Sequence, residues 1–304
     1  MSLLLDKPHN GQPATPDLTS RGVSRRRRLV NHATTALIFL AILAAIIPLG
    51  LVVYQVVSRG AGMISLDFLN WDIPRNYRRE GPGMGPAVVG TLIITGSAAL
   101  MSIPVGIAGA IYLNEYGKNK PLAKVIRTMA DVMTGVPSIV MGLFVYIVWV
   151  LTTGQQSAFA GALALACLML PIVIRSSEEM LKLVPDELRQ ASAALGSPQW
   201  KTILTVVLPS AASGITSGSL LAVARAAGET APVIVTIGIA FSPNWNLFEG
   251  GNTTLAAQIY RNASMAFESA QERAWGAALT LIAIVMIFTL AARFIASRYA
   301  VKER

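Results

Sequence analysis

One cysteine and two histidines stand among the 304 residues. Cys167 alone closes no internal bridge, which excludes a disulfide-stapled secreted module. His9 and His32 are too few and too far apart to expect a metal cluster. The pattern G-x-x-x-x-G-K-[ST] does not occur, so the chain has no P-loop of its own for a nucleotide. Charge is scarce too, at 13% of residues, against about 25% in soluble domains. With 53% hydrophobic residues and a mean hydropathy of +0.55, the chain is too apolar for a water-soluble enzyme or a disordered polymer.

Uncharged length is what the sequence has in abundance. Runs free of charge cover 33–58, 81–114, 132–174, 202–224, 231–248 and 274–292. A hydrocarbon core about 30 Å thick needs about 20 helical residues. Six spans are therefore predicted, near 33–57, 86–113, 130–152, 158–175, 209–240 and 274–296, with a turn near Thr152–Gln156 dividing the longest run. Residues 1–28 read as a disordered cytoplasmic leader and 29–304 as the membrane domain. Arg25 to Arg28 followed by an apolar run resembles the start of a signal peptide. That run is too long, and no small-residue cleavage site follows Pro48 and Gly50, so it reads as an uncleaved span.

Six spans put both termini on one side. With that side inside, 18 Lys and Arg fall in inner segments and 6 in outer ones, and Arg225 lies within a span. The bias predicts cytoplasmic termini and accounts for the net charge of +9 without any nucleic acid. Helices in lipid associate by close packing. The fifth span supplies small residues for it, from Ser210 through Gly214 and Gly218 to Ser219. The Gly214–Gly218 step reads as ordinary packing within the chain rather than a dimer face.

The segment between spans four and five, about 176–209, falls on the inner side and predicts two short helices. Pro185 with Asp186 and Glu187 suits a first helical turn, and Gly196 suits a helix stop. Ser197 with Pro198 predicts a restart, serine as cap and proline as first helical residue. Pro209 is then expected to open the fifth span. The small residues Ala191, Ser192, Ala193 and Ala194 let another surface approach closely. Gln190-Ala191-Ser192, Gly196, Val206 and Leu208-Pro209 are similar to the loop of ABC importer permeases: Glu-Ala-Ala, three residues, Gly, nine residues, Ile, one residue, Leu-Pro. Gln190, Ser192 and Val206 depart from that pattern; the spacing is kept. The resemblance implies an all-α integral membrane protein like the type I importer permeases, with six transmembrane helices. It also implies a coupling helix at Gln190, Ala191, Ser192, Ala193, Ala194, Leu195 and Gly196 that docks on an ATPase subunit.

Three further runs carry the resemblance to phosphate-specific permeases: Thr134 to Val140, Leu170 to Arg175, and Ala224 to Pro232 with its Gly228-Glu229-Thr230-Ala231-Pro232 core. The last looks like the PstA-type subunit more than its PstC-type partner. The resemblance covers about residues 30–300. It implies a phosphate importer with a PstC-type permease, two PstB-type ATPases that bind the ATP, and an extracytoplasmic PstS-type binding protein. No cofactor is expected in this chain.

An ionisable residue within a span costs several kcal/mol and usually faces a cavity or partner. Arg225 and Glu229, at i and i+4, are expected on one helical face. Two readings stand: a structural ion pair, or an anion site where Glu229 satisfies Arg225 until phosphate competes. Arg175 likewise reads either as an anchor reaching to headgroups or, by the resemblance, as part of the anion route. Asp131 could pair with Arg127. Pro104 and Pro137 read as packing kinks. Asn262-Ala263-Ser264 fits a glycosylation pattern that chance explains. A permease for molybdate or sulfate, an integral membrane enzyme using Glu229 as a base, and a channel are the competing functions. The enzyme lacks a nucleophile or metal in the plane of Glu229, and a channel has no use for the coupling loop.

Overall fold

The uncharged runs become five long helices and one sharply broken pair. The computed structural model describes residues 25–299 except 80, 82 and 119. Every regular element among them is helical. In order these are α1 (Arg25–Gly60), the short α2 (Leu66–Asn70), α3 (Gly85–Tyr116), α4 (Pro121–Gly135), α5 (Ser138–Thr153), α6 (Ala158–Lys182), α7 (Asp186–Ala194), α8 (Gln199–Ala227), α9 (Ala231–Thr236), α10 (Leu255–Ala263) and α11 (Glu268–Tyr299).

The chain divides into two units, 1–53 and 54–304. The first contains most of α1, a helix of 36 residues, about 54 Å at 1.5 Å per residue. Arg25 to Arg28 form its first turn; the remainder of the expected leader, 1–24, lies outside the described residues. The second unit holds α2 through α11.

Its centre is α3 against α6. They run parallel: Ile94 and Ala98 pack with Ala162, Leu165, Met169 and Val173, and Ser102 Oγ lies 3.8 Å from Met169 Sδ. Glycine permits the approach, since a Cβ at Gly106 would stand 2.6 Å from Val173 Cγ1. Helix α8 returns antiparallel along α6. Gly214 faces Met180 there, and a Cβ at Gly218 would lie 2.5 Å from Ser176 Oγ. The glycine pair thus serves packing within the chain.

The third, fourth and fifth spans differ from expectation. The third span is not continuous: α4 and α5 meet at 106°. Pro137 forces Val136 out of the helical region, to φ −72°, ψ 130°, so Pro137 breaks the span rather than kinking it. The fifth span ends at Ala227 instead of near 240. It also begins earlier, because the second loop helix runs straight into it through a π-helical turn at Ile203–Val207. Pro209 has no N–H to bond to Thr205, and the wider turn, with the Leu208 N–H on Ile203 O, absorbs that loss. Pro198, extended at φ −68°, ψ 154°, occupies the cap position and Ser197 does not cap. The fourth span continues past Arg175 to Lys182.

At the end of the bundle away from α7, polar groups lock the 237–267 segment to α3. The Leu255 N–H donates to Thr91 Oγ1 at 2.9 Å, and Gly90 abuts the Thr253 carbonyl with no room for a Cβ. Arg273, 1% exposed, donates to the carbonyls of Arg79 and Tyr77 at 2.7 and 3.0 Å. Asn262 is buried and donates to Gln258 Oε1 at 3.1 Å, which leaves its amide no path to a glycan.

Candidate functional site

Two chain breaks lie close together beside α6. At the first, Gly135-Val136-Pro137 separates α4 from α5. At the second, α8 stops at Ala227, and the Gly228 and Glu229 N–H groups fold back onto Arg225 O and Ala226 O, each at 3.1 Å. Pro232, in the first turn of α9, has no N–H to carry the helical ladder back to Gly228. The breaks are held together because Gly142 of α5 lies against α9, where a Cβ would come 2.5 Å from Pro232 Cα.

Between them lies a cavity of about 270 Å³. Its wall carries Thr134, Pro137 and Ser138 from the first break, Met169 and Ile172 from α6, and Arg225 and Glu229 from the second. Arg225 Nε stands 3.8 Å from Glu229 Oε1, beyond hydrogen-bond reach. The two do not share a face of one helix, since Glu229 follows the helix end. Nor is the arginine buried within the chain: its side chain is 69% exposed and that of Glu229 23%. The cavity therefore presents a guanidinium with free donors, the Ser138 hydroxyl, and the first N–H groups of α5, which lack helical partners up to that of Val140, bonded to Pro137 O at 2.9 Å; the Thr134 hydroxyl is already given to Asp131 O at 2.7 Å. A guanidinium fork beside helix-start N–H groups is chemically suited to an oxyanion.

Arg175 is not on this wall. It lies one turn beyond Ile172 and binds the Asp131 carboxylate, with Glu178 Oε2 at 3.7 Å. Asp131 thus pairs with Arg175 and not with Arg127. Arg127 reaches Glu178 instead, at 2.7 Å, joined by Lys182 at 2.8 Å. Glu178 is fully buried; sequence reasoning missed it. The spacings to Arg175 (i−3) and Lys182 (i+4) were visible, but the partner on α4, Arg127, lies 51 positions away.

The segment expected to couple forms a hairpin. Gly196 holds φ +78° after α7, where glycine alone is at ease. Gln190, Ala191, Ala193, Ala194 and Gly196 are exposed, and Leu195 is 87% exposed. Ser192 turns inward, its hydroxyl 2.8 Å from Thr202 Oγ1. Among the described residues no group of His, Cys, Asp and Glu is arranged to hold a metal. Burial pushes the Arg261 guanidinium on α10 down from its usual value, though it stays charged and donates to Gly238 O at 2.8 Å.

Comparison with known proteins places this arrangement. The family model described as binding-protein-dependent transport system inner membrane component matches residues 102–301. Phosphate transport system permease protein PstA 1 of Mycobacterium tuberculosis is 44% identical over 296 residues, covering 94% of this chain and 96% of that protein. PstA of Mycobacterium leprae is 44% identical (91% and 93% covered), and PstA of Xylella fastidiosa 38% (90% and 95% covered). Among solved structures, an inward-facing MetNI methionine ABC transporter chain matches with a TM-score of 0.57 at 16% identity, covering 71% of this chain and 94% of that one. A chain of a bacterial transporter for the acidic polysaccharide alginate matches with a TM-score of 0.56 at 14% identity, covering 89% and 99%. These two share the fold of the importer permeases. The chain belongs to the binding-protein-dependent transport system inner membrane components and, among them, to the PstA permeases.

Proposed function

We propose that this chain is one membrane half of an ATP-driven phosphate importer of the bacterial cytoplasmic membrane. The carrying observation is the cavity between two broken helices, with Arg225 and Glu229 in its wall. Discontinuous helices at membrane depth mark substrate sites, because half-helix N-termini aim partial positive charge at anions. Arg225 supplies the planar fork that matches two phosphate oxygens, and Glu229 limits how tightly the anion stays. Arg175, neutralised by Asp131, is the second arginine of the route.

In this reading the other half is a PstC-type permease, and a PstS-type protein delivers phosphate on the outer side. Two PstB-type ATPases bind the ATP, and α7 is their docking helix. The chain itself hydrolyses nothing, needs no cofactor and touches lipid, not nucleic acid. Both termini and α7 lie in the cytoplasm, in line with the distribution of positive charge.

The test is Arg225→Lys in the complete complex in vesicles. The variant keeps the charge and loses the fork. Because Arg225 makes no close bond within the chain, assembly is expected unchanged while phosphate uptake falls about tenfold or more, as for removal of a charge-assisted pair of ~1.5–3 kcal/mol. Wild-type uptake by an assembled Arg225→Lys complex reduces the residue to a structural role.

A further inference from the structure

Arg189, the residue before the expected docking segment, is the most heavily bonded side chain at that end of the molecule. Its Nη2 donates to Glu115 Oε1 at 2.9 Å and Leu181 O at 3.0 Å. Its Nη1 donates to Val184 O at 2.6 Å and Asp186 Oδ1 at 3.1 Å. Its Nε lies 3.3 and 3.4 Å from the two Glu115 oxygens. One guanidinium thus joins three elements: the end of α3, the last carbonyls of α6 and the start of α7. Only arginine has a planar fork with enough donors for this. Both charges are largely withdrawn from water, at 16% and 5% side-chain exposure.

Glu115 is aimed by its backbone. It sits in the π-helical turn Tyr112–Tyr116 that ends α3. One extra residue in a helix rotates every later side chain by about 100°, and such insertions gather at functional positions. The Glu115 carbonyl also accepts from Gln199 Nε2 at 2.9 Å, so the same residue holds the first turn of α8. The carboxylate receives a further bond from Asn114 Nδ2 at 2.7 Å.

We propose that Glu115 and Arg189 are positioning residues, a charged clamp that makes α7 move as one body with α3 and α6. The inference rests on the reading of α7 as the docking helix. A hairpin that only had to rest on the membrane could be held by apolar contacts. Here the exposed second half of α7 is small and uncharged at Ala191, Ala193 and Ala194, Asp186 and Glu187 being exposed only in its first turn, and its covered face ends in one ion pair to the central helices. A push on α7 is delivered to α6, whose Met169 and Ile172 wall the cavity. The Ser192–Thr202 bond links the two arms of the hairpin to each other and does not reach α3.

The experiment uses the assembled complex with its ATPases in vesicles, in a background with Cys167 replaced. A thiol introduced by Ser138→Cys reports cavity access to a maleimide, with and without nucleotide trapped by vanadate. In the otherwise unaltered complex, trapping is expected to change the labelling rate at least fivefold. With Arg189→Lys or Glu115→Gln, the complex is expected to assemble and hydrolyse ATP, but the change shrinks below twofold. Phosphate moved per ATP falls at least tenfold in step. Both variants keeping the full labelling change overturns the clamp, and so does a loss that appears only where assembly fails. If the reporter complex with native Arg189 and Glu115 responds to nucleotide while the complex without any substitution carries no phosphate, that counts against the transport assignment, and the clamp is still judged by labelling.

Discussion

Glu178 shows how one side chain can set the cost of losing another. It is fully buried, with Arg127 at 2.7 Å, Lys182 at 2.8 Å and Arg175 at 3.7 Å. Removing a buried charge strands its partners and costs about 3–5 kcal/mol. Lys182 is half exposed and can turn to water, so Glu178→Gln is expected at about 3 kcal/mol, the low end of that range. Lys182→Gln removes an exposed partner and is expected under about 1 kcal/mol. Thermal unfolding of the purified protein, followed by tryptophan fluorescence, separates the two; equal losses would contradict the burial argument. The same cluster marks where sequence reasoning ends. The spacing Arg175–Glu178–Lys182 is local and legible. The choice between Arg127 and Arg175 for Asp131 depends on how α4 leans on α6, which only the bend at Val136-Pro137 decides. Arg225 and Glu229 were legible as residues. Their separation by a helix end was not, because Gly228 and Pro232 each occur within helices in membranes and only together stop one.

The breaks are the elements on which the cavity depends, and their glycines are not equivalent. A Cβ on Gly142 would meet the backbone of Pro232, whereas Gly135 has nothing within 4 Å. Backbone cannot yield as a flexible side chain does, so Gly142→Ala is expected to push α5 from α9 at an overpacking cost of about 1–3 kcal/mol. Gly135→Ala is expected near wild type. Melting temperature and phosphate uptake of the two variants, measured side by side, check this. Matching behaviour would mean that the α5–α9 contact does not shape the cavity. Six apolar runs, their order and the hairpin with its stop at Gly196 could all be read from composition and turn chemistry. The π-helical turns could not, since an extra residue in a helix leaves no mark in hydrophobic pattern. One of them merges the loop with the fifth span across Pro209, a residue that reads as a boundary.

At the scale of the molecule, orientation is the assignment with the widest consequences. Ala263 at the end of α10 and Ala194 at the end of α7 are both exposed and lie at opposite ends of the bundle. With Cys167 replaced, Ala263→Cys is expected to react with an impermeant thiol reagent added to intact spheroplasts, and Ala194→Cys only after lysis. The reverse pattern would put α7 out of reach of any cytoplasmic ATPase. The parallel pairing of α3 with α6 also governs how the protein is made. Met169 trails Ser102 by 67 residues, and Leu255 trails Thr91 by 164. At about 5–20 residues per second of synthesis, α3 waits roughly 3–13 s for its neighbour and about 8–33 s for the segment that closes over its first turns. During that interval its hydroxyls and bare glycines stand in the bilayer without their eventual contacts. The nascent chain is therefore most open to quality-control proteases after the second span is inserted and before the fourth arrives.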